Sequence, residues 1–169
     1  MSTEIFEYNS RGYKILIFIT FVIGLMLDIL NLTAVNSLIV PPFSLLFVLF
    51  WAGRFFDKTF IASAFILGIC HDVLFQSLLG SHALIFSFIT FLLLRNRVHF
   101  RAYSIPQQSF FVFGLLIIYQ ILAFFIFSPS LNDETLWQFL AMPGLAIIVW
   151  MILAAFLSVI TSLKRSTDS

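Results

Sequence analysis

All nine Lys and Arg residues of this chain sit in four short clusters, separated by long stretches that contain none. The clusters are Arg11 with Lys14, Arg54 with Lys58, Arg95 with Arg97 and Arg101, and Lys164 with Arg165. Between and around them lie six apolar stretches: Ile15–Leu32, Leu38–Gly53, Thr59–Leu79, His82–Leu94, Gln107–Phe127 and Phe139–Leu163. A membrane helix needs roughly 17–25 mostly apolar residues, and most of these stretches approach or reach that length. Barrel strands would alternate apolar and polar residues over about 10 positions, whereas these are apolar on every side. The expectation is an all-α integral membrane protein. Composition agrees: 61% of the 169 residues are hydrophobic and 10% are charged, where a soluble domain carries about 25% charge. A net charge of +1 gives no footprint for nucleic acid. Seven Gly and one Cys exclude collagen-like and disulfide-stapled folds.

Lys and Arg gather in cytoplasmic loops next to membrane helices. With six spans, all nine basic residues fall on one side, and both termini lie inside. The opposite loops, Thr33–Ser37, Gly80-Ser81 and Ser128–Gln138, hold only Asp133 and Glu134 as charges. Removing one span would scatter the basic residues to both sides, so the pattern also supports the short fourth stretch. The first stretch follows Glu4 and Glu7, exceeds a signal-peptide core and lacks a small-x-small cleavage site, which reads as a retained helix. The organisation expected is a cytoplasmic tail over 1–14, one membrane domain over 15–163 and a cytoplasmic tail over 164–169. Trp51 and Trp137 are placed at the membrane interfaces, as belt aromatics. Pro143-Gly144 is expected to kink the sixth span, and Cys70 to pack as a small apolar side chain.

Two carboxylates fall inside spans, Asp28 and Asp72. Such a group is about 2.5–3.5 kcal/mol unfavourable at a helix centre on insertion scales and marks function by default. Each lies 13 residues into its stretch, roughly 20 Å along the axis, in the outer half of the bilayer, where Gln120 also falls. Ala64, Gly68 and Asp72 are spaced by four and share a helix face. Small residues at that spacing admit a neighbouring backbone, so Asp72 is expected to face protein. The first span repeats the pattern with Gly24 and Asp28, and the surrounding decapeptides, Phe21 to Leu30 and Phe65 to Leu74, match at an offset of 44 residues. A fainter echo at Phe111–Gly114 lacks the acid. Parallel repeats occur in membrane transporters. If the two Gly faces met, the acids would titrate as a pair.

No catalytic motif accompanies these acids. The residues before Asp72 are Gly68-Ile-Cys-His, without the second Gly of the GxGD intramembrane proteases. There is no GxSxG elbow and no HExxH pair, since His71 and His82 are 11 apart. His71 reads as a satisfied packing residue. No cofactor or metal is expected. The loop carrying Arg95, Arg97 and Arg101 could grip anionic lipid or a cytoplasmic partner, although the charge bias of an inner loop accounts for it.

Two spacings carry a family resemblance. Pro41 is followed ten residues later by Trp51 through an aliphatic run, and Gly68 is followed by Asp72 and Gly80, with a basic loop after the next span. Over roughly residues 41–101 the chain resembles the rod shape-determining protein MreD family. The resemblance implies a six-span bacterial inner-membrane protein whose fold is similar to the S-component of energy-coupling-factor transporters. It also implies a non-catalytic scaffold or regulator of cell elongation. The implied partners are the bitopic MreC protein, the MreB filament, the SEDS glycosyltransferase, a class B penicillin-binding transpeptidase and membrane lipids. Pro41, Trp51, Ala64, Gly68, Asp72 and Gly80 are then candidates for helix or partner interfaces. Gly24, Asp28 and Gln120 are secondary ones, because Asp28 does not belong to the family pattern. The competing readings are a vitamin-binding membrane protein whose pocket is lined by Asp28, Asp72 and Gln120, and a proton-coupled transporter.

Overall fold

The computed structural model describes residues 11–32, 39–55, 58–127 and 133–167, and these form seven helices and no strand. They are α1 (Arg11–Leu32), α2 (Phe43–Arg54), α3 (Ile61–Leu74), α4 (Ser81–Arg95), α5 (Arg97–Ala102), α6 (Ile105–Phe127) and α7 (Asp133–Thr167). Consecutive helices pack as pairs, α1 on α2, α3 on α4 and α6 on α7, and α4 also touches α2 and α6.

Helix lengths separate two groups. α1, α6 and α7 are long and apolar enough to cross a membrane. α2, α3 and α4 have 12, 14 and 15 residues, about 18–23 Å at 1.5 Å per residue. α2 forms the centre, and α3 and α4 each turn one face to it or to each other and one face outward. Ten of the twelve residues of α2 are buried, as expected of a helix apolar all round. Leu45, Leu46, Leu49, Trp51, Ile85, Phe86, Ile89, Leu93, Leu116 and Trp150 are the core. α1, α6 and α7 expose apolar side chains such as Phe18, Ile152 and Phe125, and α3 and α4 also do so at Ile66, Val73 and Leu84. Soluble monomers rarely show contiguous apolar surface on this scale, and a membrane protein requires it.

Several sequence expectations need correction. Trp51 is not an interface residue: it is fully buried, stacks on Phe55 at 5.7 Å and donates its Nε1–H to Thr20 Oγ1 at 2.9 Å. A buried partner for the indole N–H removes the reason to seek headgroups. Trp137, in contrast, is exposed near the start of α7. The third stretch stops being helical at Leu74 instead of Leu79, where Phe75 and Gln76 turn the chain. Two expected loops contain helix. α5 lies inside the basic loop, and α7 begins at Asp133, running unbroken through Pro143. The basic loop is also tied down. Phe100 is buried, its ring 5.9 Å from that of Trp150. Arg97 donates to the carbonyls of Phe55 and Lys58 at 2.6 and 3.0 Å, satisfying acceptors at and just beyond the end of α2. Arg95 stays exposed and Arg101 is half-buried.

Candidate functional site

At the end of the bundle remote from the Arg54–α5 side, the two buried acids Asp28 and Asp72 do the same job in two places. α4 begins at Gly80, whose φ of +96° lies in the left-handed region that favours glycine. Gly80 offers no side chain to cap the helix, and the first N–H groups of α4 would be orphaned in an apolar interior. Asp72, arriving from α3, satisfies them. Its Oδ2 accepts from Gly80 N at 2.8 Å, and its Oδ1 accepts from His82 N at 3.0 Å. Oδ1 also accepts from Ser77 Oγ at 2.7 Å and lies 2.7 Å from His82 Nδ1. An ionised carboxylate can only accept, and against one the His82 ring would carry a proton on Nδ1. The acid is 1% exposed, and the helix dipole adds to the attraction.

Asp28 does the equivalent for α2. The N-cap of α2 is Pro42, which makes no side-chain cap bond. Asp28, from α1, accepts from Phe43 N at 2.7 Å and Ser44 N at 3.1 Å. The glycine four residues earlier makes each approach possible. A Cβ on Gly24 would stand 3.0 Å from Ser44 Cα, and one on Gly68 would stand 2.6 Å from Ala83 N. The Gly24 and Gly68 faces therefore do not meet each other. Each packs on the start of the following helix, and its acid caps that helix. The 44-residue similarity thus has a structural counterpart, a Gly-x-x-x-Asp unit seating the next antiparallel helix. The echo at Gly114 has none, since its surroundings are open within 4 Å.

The remaining candidates fall into place around these units. Ala64 is fully buried on the same α3 face, so the small-residue face is spent on α4 of this chain. Pro41 is buried just before α2. Gln120 of α6 donates its amide N–H to the Phe139 carbonyl of α7. Asp28 and Gln120 line one cavity of about 220 Å³, and Asp72 stands behind its wall, through His82.

Two histidines were underrated by sequence alone. His71 stacks on Phe75 at 4.1 Å and lies 4.4 Å from the His82 ring, and its buried Nδ1 has no hydrogen-bond partner among the described residues. The histidine packs as expected, with the rings of Phe75, His82 and Phe86 about it. His82 stacks on Phe127 at 4.7 Å and is oriented by Asp72. The ten-residue Asp72–His82 separation hides this contact, and only the Gly80 turn hints that the chain reverses between them. Ser77 shares Nδ1 of His82 at 3.3 Å instead of sitting on the opposite ring nitrogen, so the trio lacks the relay geometry of a nucleophilic triad.

Comparison with known proteins agrees with the residue pattern. Residues 9–160 match the family model described as rod shape-determining protein MreD. The rod shape-determining protein MreD of Haemophilus influenzae is 29% identical over 106 residues, which cover 63% of this chain and 65% of that protein. The match thus spans slightly less than two thirds of that relative. No solved structure matches. With the family model covering nearly the whole described chain, this protein belongs to the MreD family of rod shape-determining proteins.

Proposed function

We propose that this chain is a non-catalytic, multi-pass inner-membrane scaffold of the rod-shape machinery, holding MreC and, through it, the peptidoglycan synthases. The match over residues 9–160 carries this reading. In it, six helices cross the membrane, α1 to α4, α6 and α7, with both termini and α5 in the cytoplasm. The membrane domain is 15–163, between tails 1–14 and 164–169. The fold is of S-component type. The MreB filament is reached indirectly, and the SEDS glycosyltransferase and class B transpeptidase are partners within the same assembly.

Because the Ala64–Gly68–Asp72 face packs on α4 within the chain, its role is to set the frame. Pro41, Trp51 and Gly80 serve the same frame. The partner helix is assigned instead to the groove between α1 and α7. That groove is about 530 Å³, and Leu16, Ile23, Leu27, Ile152, Phe156 and Ile160 are among its apolar walls. Two long helices stand apart there, leaving a channel open along the bundle side. A single-span partner would gain dispersion contacts in it that lipid tails fill less well.

Photo-crosslinkers at Ile23 and Ile152 test the assignment, with Phe125 on the far side of α6 as the control. Adducts to MreC from the groove positions and lipid adducts alone from Phe125 are expected. Lipid adducts alone from all three positions, in cells whose rod shape is intact, would overturn it.

A further inference from the structure

The cavity between the outer-facing helix ends is not explained by a scaffold role. Its walls come from α1, α2's approach, α3, α4, α6 and α7, so every long helix contributes. A packed interior has few voids larger than a water molecule, and buried Tyr hydroxyls normally find partners. Here the Tyr119 side chain lines the cavity, and its hydroxyl makes no hydrogen bond among the described residues. Gln120 spends its amide nitrogen on Phe139 O, which leaves its carbonyl oxygen uncommitted. His82 turns Nδ1 to Asp72, and in the neutral ring protonated at that nitrogen Nε2 can accept. Asp28 accepts one backbone N–H on each oxygen and has lone pairs to spare.

Among the polar lining groups the Asp28 carboxylate can only accept and the Gln120 oxygen accepts, while Asn31 and the Tyr119 hydroxyl can accept as well as donate. None of the lining residues is Lys or Arg, one is a carboxylate, and Phe75, Tyr119, Phe127 and Phe139 supply aromatic rings. Acceptors, a negative charge and aromatic walls suit a donor-rich cation. An anion would meet Asp28 with nothing to offset it. Size narrows the class further. At about 220 Å³ the cavity falls below the roughly 300–1,000 Å³ of sites for drug-sized ligands, a size that suits a single small head group.

We propose that this cavity is a binding site for one guanidinium or alkylammonium group, held by Asp28, Tyr119, Gln120 and Nε2 of His82. The group belongs either to a free small amine or to a basic side chain entering from a membrane partner.

The purified full chain in nanodiscs, with ¹⁵N-labelled histidine, is titrated with methylguanidinium and, at matched ionic strength, with its neutral isostere N-methylurea. Saturable shifts of the His71 and His82 signals by methylguanidinium alone are expected, with a midpoint below about 10 mM. Tyr119→Phe, which keeps the ring and the packing, should weaken binding about 5- to 10-fold. Equal responses to both compounds, or no saturation, overturn the proposal. A photo-crosslinker at Ala123 in cells then separates the sources. An adduct mapped beside a Lys or Arg of a second protein identifies an inserted side chain. Saturable binding in vitro with no such adduct identifies a free amine.

Discussion

At the scale of single residues, Gly68 shows how little room the fold leaves. Its α-carbon faces the α4 backbone, where a Cβ would meet Ala83 and His82 main-chain atoms below 3 Å. Backbone cannot move aside as a flexible side chain can. Gly68→Val should therefore cost about 3 kcal/mol or more through overpacking, whereas Gly114→Ala, with nothing within 4 Å, should be neutral or stabilise by up to about 1 kcal/mol through helix propensity. Thermal unfolding in detergent checks both, and equal effects would contradict the close α3–α4 approach. The sequence pointed to Gly68 through its spacing from Ala64 and Asp72. It also placed Asp72 against protein instead of lipid. What it could not show was the identity of that neighbour, since small residues at a four-residue spacing suit a helix of the same chain and one of a partner equally well.

At the scale of elements, the unit that matters is a helix with a remote cap. α2 and α4 lack side-chain caps of their own, and each is seated by an acid from the helix before it. The same economy holds the α1–α2 pair at its other end, where Thr20 donates to Ile17 O at 2.8 Å and accepts from Trp51 at 2.9 Å. Thr20→Val keeps the shape and strands a buried indole N–H, at a cost of about 1–3 kcal/mol. Trp51→Phe removes that donor and should recover part of the loss in the double variant. A double-mutant cycle by thermal unfolding reads the coupling, and strictly additive effects would deny the bond. The 44-residue similarity announced that α1 and α3 are alike. It did not announce that the likeness lies in what they do to α2 and α4, because the capped N–H groups carry no side-chain signature.

At the scale of the whole molecule, the shortest of the six packed helices, α2, lies at the centre and the others surround it. This arrangement hides α2 almost entirely and leaves the surrounding helices, α1, α6 and α7 among them, to present apolar surface. The six-span topology proposed above makes a direct prediction in a Cys70→Ser background. Cysteines at Leu79 and Trp137, both exposed, should react with a membrane-impermeant maleimide in intact cells. A cysteine at Val98 on α5, also exposed, should react only after the membrane is opened. Equal reactivity at Leu79 and Val98 would mean that α4, with 15 residues, does not cross.

The sequence by itself determined that this chain is helical and made for a membrane, because apolar runs free of charge cannot be solvated otherwise, and because nine basic residues confined to four clusters leave few ways to thread it. It also singled out the acids, since a carboxylate amid apolar residues is costly unless something holds it. The tertiary structure decided what holds them. Hydrogen bonds to backbone N–H groups depend on where the next helix starts in space, and side-chain patterns do not record this. The tertiary structure likewise drew Trp51 into the core and set His82 on Asp72. It also gathered Asp28, Tyr119 and Gln120, from helices some ninety positions apart in the chain, around one cavity.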